Sequence, residues 1–340
     1  MASVTINDVA RAAGVSKRTV TRVLNNESDV RDRTRKKVQE VIAQLGYVPN
    51  SLAQRLAAGH SEIIGVYAYG ESFPFERTQF FYPFVEGVEA AAQRLSYDVL
   101  LFTSGRRSED HSMFDGNSSR TSLADGLVVI GARVNRGDLR RLAELKRPFV
   151  CVGRRESKEH AISWVAADYE SAFYEATQDI IAHGHKRIAY ISPLDFEAEL
   201  DKFQGYQRAL NDARLPLFYF DPMKYNPEQQ LDVEALCGFL IANAITALIL
   251  PYPHHFRPLQ SALQKRGLSI PHDISFVGFD DDGLLLDDYP ISHVAMPKVG
   301  MGERAVDELV RIIRGKNQEP EVHCWLPCQY NRGTTVRCLK

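Results

Sequence analysis

The 340-residue sequence predicts a small all-α head followed by an α/β body of two doubly wound parallel-sheet lobes. Three observations support this. Three apolar stripes at helical spacing fill the first 48 residues, and from Ser61 onward β-rich apolar runs alternate with amphipathic stretches. The charge is also uneven: residues 1–60 hold ten Lys or Arg against five Asp or Glu, whereas the remainder holds 31 against 38. A basic head on an acidic body points to a nucleic-acid contact confined to the head. At about 150 residues per domain the length allows two or three domains. A hydrophobic share of 44% with 25% charged residues is that of an ordinary globular chain.

The head reads as three short helices. Thr5, followed three residues later by Asp8, makes a helix start, and Ile6, Val9, Ala10 and Ala13 form a stripe that ends at Gly14. Ser16 caps a second helix, with Val20, Val23 and Leu24 on one side and Lys17, Arg18, Thr21, Arg22 and Asn25 within an arc of about 140° on the other. Val38, Val41, Ile42 and Leu45 give the third, ending at Gly46. Two helices joined by a tight Gly-Val-Ser turn, the second with an outward polar face, form a helix-turn-helix. Arg and Lys on such a face can donate to guanine O6 and N7, and Asn suits adenine or phosphate.

The run from Val4 to Asn25 closely resembles the DNA-binding signature of the LacI/GalR family of bacterial repressors. It carries Thr5-Ile6-Asn7-Asp8-Val9-Ala10, Gly14-Val15-Ser16 and Thr19-Val20-Thr21-Arg22-Val23-Leu24-Asn25, and the match continues through Thr34-Arg35, Leu45-Gly46-Tyr47 and Pro49-Asn50. The resemblance implies that Lys17, Arg18 and Arg22 read bases in the major groove, with Thr5, Ser16, Thr21 and Asn25 near phosphates. Thr21 stands where the family usually has serine, and Arg31 where a serine usually caps the third helix. Either Asp32 takes over that cap or the helix starts less firmly.

Pro49 stops the third helix, and Asn50 can cap a segment from Ser51 to Ala58 closed by Gly59. So short a helix is not stable alone in water. The resemblance names its partners: the same segment of a second subunit and the minor groove at the operator centre. There Leu56 would wedge into a base step while Ala53 packs against its symmetry mate.

In the body, the apolar runs Ile63–Tyr69, Val99–Phe102, Leu127–Ile130, Phe149–Val152, Ile188–Ser192, Ala247–Leu250 and Ile274–Phe279 read as strands. Amphipathic segments lie near 83–95, 136–145, 169–183, 201–213, 229–243, 256–267 and 299–314. Such alternation argues for parallel sheets with helices on both faces and ligands at the carboxyl ends of the strands. Here too the sequence resembles the same family, whose effector-binding region shares its fold with periplasmic sugar-binding proteins. Carrying residues are Phe80-Phe81 with Gly87, Asp125-Gly126, Gly184-His185-Lys186-Arg187-Ile188-Ala189, Gly205-Tyr206 with Ala209-Leu210, and the stretch from Asp273 to Asp281. The resemblance implies three crossings between the lobes, expected near 161–164, 288–293 and 318–322, with the effector in the cleft. The expected division is therefore a DNA-binding domain over 1–48, a hinge over 49–60 and an effector domain over 61–340. Within that domain one lobe takes about 61–161 plus 292–319 and the other 164–288 plus 322–340.

The effector site departs from its family. Tyr174 and Lys202 stand where many sugar-responsive members have arginine, and Tyr252-Pro253 replaces a common Asn-Asp, whereas Asp280 is kept. A carboxylate there can accept two hydrogen bonds from vicinal hydroxyls. Phe80, Phe81, Trp164 and Tyr252 could stack on a sugar face. The expected ligand is a carbohydrate or glycoside with an apolar face, held by Asp280, Arg154 and Lys202.

Other classes fare worse. Asp280, Asp281 and Asp282 lack a phosphate-cradling glycine loop, and His254-His255 and His183 with His185 lack a metal-ligand set, so no enzyme, cofactor or metal is expected. Five scattered cysteines do not make a disulfide framework, and Cys324 with Cys328 is too few for structural zinc. There is no membrane span and no secretory signal, so a cytoplasmic protein is expected. A stand-alone small-molecule binder would have no use for the head. The expectation is an effector-controlled transcriptional regulator, a repressor by resemblance, that binds a pseudo-palindromic operator in double-stranded DNA. Tetrameric members carry a carboxyl-terminal segment of leucine heptads; this sequence ends at Lys340 without one, so a homodimer is expected.

Overall fold

A computed structural model describes residues 4–24, 27–47, 60–69, 80–102, 112–114, 120–131, 133–222, 231–252, 255–280, 290–315 and 321–339. The chain divides into two units, Met1–Ser61 and Glu62–Lys340.

The first unit holds α1 (Ile6–Ala13), α2 (Lys17–Leu24) and α3 (Asp32–Leu45). Val9, Ala10, Ala13, Val20, Val23, Val30 and Val38 bury their side chains together, as the helical stripes require. The backbone N–H and Oγ1 of Thr5 both donate to Asp8 Oδ2, at 3.0 and 2.7 Å, which fixes the start of α1. Gly14 ends it with φ 63°, a left-handed conformation that costs glycine little. Ser16 Oγ accepts the Thr19 N–H at 3.1 Å and so caps α2. At α3 the cap position is Arg31, which offers no side-chain hydrogen bond. Asp32 is the first helical residue and contributes first-turn negative charge instead of a cap.

In the second unit the strands are β1 (Ile63–Ala68), β2 (Asp98–Phe102), β3 (Gly126–Ile130), β4 (Phe149–Val152), β5 (Trp164–Asp168), β6 (Ile188–Ile191), β7 (Phe218–Phe220), β8 (Ala247–Leu250), β9 (Ser275–Asp280), β10 (Ser292–Ala295), β11 (His323–Pro327) and β12 (Gln329–Asn331). The helices are α4 (Tyr82–Arg94), α5 (Arg136–Glu144), α6 (Tyr169–Ala182), α7 (Glu197–Asp212), α8 (Val233–Ala242), α9 (Phe256–Gln264) and α10 (Lys298–Ile313). One sheet has the order β11-β5-β4-β3-β1-β2 and is parallel throughout. The other runs β12-β10-β9-β8-β6-β7 and is parallel except for β12. Every residue of β3, β4, β6 and β8 is buried, which is why these strands read as unbroken apolar runs.

The chain passes between the sheets after Asp168, between Ala295 and Lys298, and at Cys328. Each passage lies further along than the expected 161–164, 288–293 and 318–322. The reason is that β5, β10 and β11 are strands of the lobe being left, whereas the sequence offers no long apolar run to mark them. Tyr169 at the first passage donates its hydroxyl to Met296 Sδ at the second, at 2.7 Å. The helices α4 and α10 meet backbone to backbone: a Cβ on Gly87 would stand 2.0 Å from the Val299 carbonyl oxygen, and one on Gly302 2.2 Å from that of Phe84.

The carboxyl-terminal residues strap the second sheet. Thr335 Oγ1 donates to the Phe276 carbonyl at 2.6 Å, and Leu339 N–H donates to that of His183 at 2.8 Å. His185, fully buried, lies against Thr246 Oγ1 through Nδ1 at 2.9 Å and against the Arg337 carbonyl through Nε2 at 3.0 Å. A carbonyl only accepts, so Nε2 carries the proton of a neutral imidazole. Burial holds the His185 pKa below its ordinary value; the hydrogen bond to the Arg337 carbonyl opposes this and the Arg337 charge adds to it. A depressed histidine contributes stability above its unfolded pKa of about 6.5 and loses it as pH falls. The melting temperature should therefore drop between pH 7 and 5, and His185→Gln should flatten that dependence in a thermal-shift titration.

Candidate functional site

The head presents the expected polar face. Val20 and Val23 of α2 point into the core, which leaves Lys17 and Arg18 exposed and Arg22 and Thr21 partly so. Thr5 and Ser16 are exposed at the starts of α1 and α2, and Thr21 Oγ1 donates to the Lys17 carbonyl at 3.1 Å. Asn25 and the hinge residues Asn50, Ala53 and Leu56 lie outside the described residues.

In the body, residues following the carboxyl ends of strands from the two sheets meet as ion pairs. Arg133, after β3, pairs with Asp195, after β6. Arg136, opening α5, reaches Glu197, opening α7, at 3.0 Å. Arg154, after β4, grips Asp201 through Nε and Nη2 at 3.1 and 2.6 Å and also pairs with Glu156. The first lobe thus supplies arginines and the second carboxylates, and the cleft lies along this seam. Two residues beyond Arg136 on α5, buried Asp138 accepts from the Met113 N–H at 2.6 Å and from the hydroxyls of Ser112 and Tyr69. Burial and then that hydrogen bond push the Tyr69 phenol up.

The expected effector residues separate into groups. Arg154 and Tyr252, which follow β4 and β8, stand at carboxyl ends of strands, as does Asp280, the last residue of β9 and the register partner of Ala295. Lys202 is placed on α7 just behind the seam. It is 5% exposed, its Nζ donates to Glu199 at 2.7 Å, and it sits 3.9 Å from the Phe279 ring centre and 5.1 Å from that of Tyr169. Its charge is already met by Glu199, which also accepts from Ser192 Oγ.

Four aromatic assignments need correction. Trp164 begins β5 at the end opposite the crossing, where it stacks on His323 with 4.5 Å between ring centres. Tyr174 donates its hydroxyl to Asp212 at 2.9 Å and lies under Arg208, so it joins α6 to the far end of α7. Phe81 is buried, and Phe80 packs edge-on against Phe81 and Phe84 at 5.1 and 5.4 Å, so both serve the first lobe's core. Core packing claimed Trp164, Phe80 and Phe81, and polar contacts claimed Tyr174, a competition that local sequence does not reveal. The sequence reading in turn missed Arg133, Arg136, Asp195, Glu197 and Asp201. Their only local signal is the acidic first turn of α7, because each pair joins residues at least 47 positions apart.

A depression of about 450 Å³ opens at the amino ends of β4 and β5 among Lys146, Arg147, Phe149 and His160, across the sheet from the cleft. Among the described residues no cluster of His, Cys, Asp or Glu could hold a metal ion, and no helix is long and apolar enough to cross a membrane.

Comparison with known proteins meets this geometry at both ends of the chain. Residues 5–50 match the bacterial regulatory proteins of the lacI family, and residues 177–336 match the periplasmic binding protein-like domain. Catabolite control protein A of Priestia megaterium is 30% identical over 324 residues, which cover 94% of this chain and 96% of that one. The chain belongs to the LacI family. Among solved structures, the transcriptional regulator CelR in complex with cellobiose is 26% identical, with a TM-score of 0.68 over 98% of this chain and 99% of that one. The lac repressor dimer bound to operator and the anti-inducer ONPF, 22% identical over 99% of this chain and all of that one, shares the fold with a TM-score of 0.74. This LacI-family chain is therefore a DNA-binding transcriptional regulator and not an enzyme.

Buried charge sets the energetics of the cleft. Burial raises the Asp201 carboxyl above its ordinary range, with Arg154 pulling it back. Burial of Arg154 works against its charge, yet Asp201 and Glu156 outweigh it and hold the guanidinium still more firmly protonated. Both shifts agree that Asp201 depends on Arg154. Arg154→Ala should destabilise the body by roughly 1–3 kcal/mol, seen as a lower melting temperature. Adding Asp201→Asn should return most of that loss.

Proposed function

We propose that this regulator is a homodimeric repressor whose two heads read a pseudo-palindromic operator and whose grip is set by a carbohydrate bound in the cleft. Lys17, Arg18 and Arg22 contact base edges, Thr5, Ser16, Thr21 and Asn25 approach phosphates, and the hinge residues Asn50, Ala53 and Leu56 engage the minor groove. The observation that carries this reading is the division of α2, with valines inward and an unbroken basic and hydroxyl face outward. The protein acts in the cytoplasm, at operators in the nucleoid. In a mobility-shift titration with duplex selected from a random library, Arg22→Ala should cost roughly 1–3 kcal/mol and relax one base pair per half-site. An unselected, salt-insensitive interaction would refute the reading.

The effector reading rests on position: Arg154, Tyr252 and Asp280 all lie at the strand ends along the seam. The cellobiose-bound CelR structure, alike over the full length, supports a sugar. Hydroxyls that exchange with the cross-lobe hydrogen bonds would favour one separation of the lobes, and with it one disposition of the heads. In a thermal-shift panel of mono- and disaccharides, a true effector at 100 times its dissociation constant stabilises by about 2.7 kcal/mol. Asp280→Ala should remove that shift and the sugar's effect on operator binding, while leaving sugar-free operator binding intact.

A further inference from the structure

Arg22, the base reader proposed above, is held on one side by two carboxylates. Its Nε donates to Glu27 Oε2 at 2.9 Å, and its Nη2 pairs with Asp29. Glu27 is placed by main-chain contacts: its N–H donates to the Arg22 carbonyl at 3.0 Å, and its own carbonyl accepts from Arg35 of α3 at 2.6 Å. The segment is anchored one residue beyond Asp29 by Val30, which is buried in the head's core. The contacts that fold the head therefore also bring both acids to Arg22. Among the described residues, neither Lys17 nor Arg18 has a carboxylate partner.

A guanidinium has five N–H donors in a fixed plane. Nε and Nη2 form its side edge, and Glu27 and Asp29 occupy that edge. The end edge, made by Nη1 and the second hydrogen of Nη2, has no carboxylate partner among the described residues. Two parallel donors on one edge are what guanine O6 and N7 accept. We propose that Glu27 and Asp29 are specificity-determining positioning residues, a buttress that fixes the plane of Arg22 so that its end edge meets guanine. A long exposed arginine otherwise loses rotamer freedom when it docks; the buttress meets that cost during folding. It also sets two negative charges beside the groove, which weakens contacts with the phosphate backbone that any sequence would offer.

The proposal rests on Arg22 reading a base, and the experiment separates the two ideas. Full-length protein is titrated against a duplex that the wild type has selected from a random library and against a 30-base-pair duplex of mixed sequence. The ratio of the two affinities is the readout. Removing the acids with Glu27→Gln and Asp29→Asn should strengthen mixed-sequence binding and cut the ratio roughly tenfold, by about fivefold or less for each exposed pair. A library reselected with the double variant should lose its guanine preference at one position per half-site. In an Arg22→Ala background the same two changes should leave the ratio unmoved. Three results would overturn the buttress: a ratio that stays level in the double variant, one that rises because the acids merely compete with DNA for Arg22, or a fall that persists without Arg22. If Arg22→Ala alone leaves the ratio unchanged, Arg22 is not the base reader and both ideas fail together. Circular dichroism of each variant establishes that the head remains folded.

Discussion

Three passages of the main chain between two parallel sheets, after Asp168, between Ala295 and Lys298, and at Cys328, constrain everything else in the body. Two lobes joined three times cannot separate or slide freely; they can only turn about the passages. The same connections bring carboxyl ends of strands from both sheets to a common seam, since residues after β3 and β4 bond to residues after β6. Side chains at the passages pack against one another. Tyr169 bonds to Met296, Lys202 lies over Tyr169 and Phe279, and burial, opposed by Lys202, pushes the Cys328 thiol up to about 12.

Along the seam the charges divide by lobe. A buried ion pair gains little net stability over apolar packing, but breaking it by removing one partner is costly. Among the described residues Arg154 with Asp201 is the most buried cross-lobe pair, whereas the arginine of the Arg136–Glu197 pair is largely exposed and that pair adds little. Such pairs fix one registration of the lobes more than they stabilise it. A ligand able to satisfy the same donors and acceptors in another registration shifts the balance by its difference in affinity for the two.

The head works on a smaller scale. Its helices are set by caps and stripes within a few residues of one another, such as Thr5 with Asp8 and Ser16 with Thr19. Its recognition face follows as the remainder of the helix once Val20 and Val23 are buried. Only the support of Arg22 by Glu27 and Asp29 depends on how a turn returns the chain toward the helix it has just left.

The sequence by itself determined whatever rests on short-range periodicity: the three helices of the head, seven of the twelve described strands and the helices between them. Helical stripes and fully buried strands each leave a repeating apolar mark, so α1 to α3 and β3, β4, β6 and β8 were legible. Five strands were not, namely β5, β7, β10, β11 and β12. Three of these lie at sheet edges, and β5 and β10 precede crossings, so neighbours far away in sequence define them more than their own composition does. The cleft divides in the same way. Arg154, Tyr252 and Asp280 could be placed because they end or follow strands, a local property. Only the tertiary structure decided that Trp164 stacks on His323, that Tyr174 is committed to Asp212 and that five unnoticed charges bridge the lobes. Aromatic burial and ion pairing are settled by which distant side chains the fold holds within contact distance, and that information is held by the crossings rather than by any stretch of the chain.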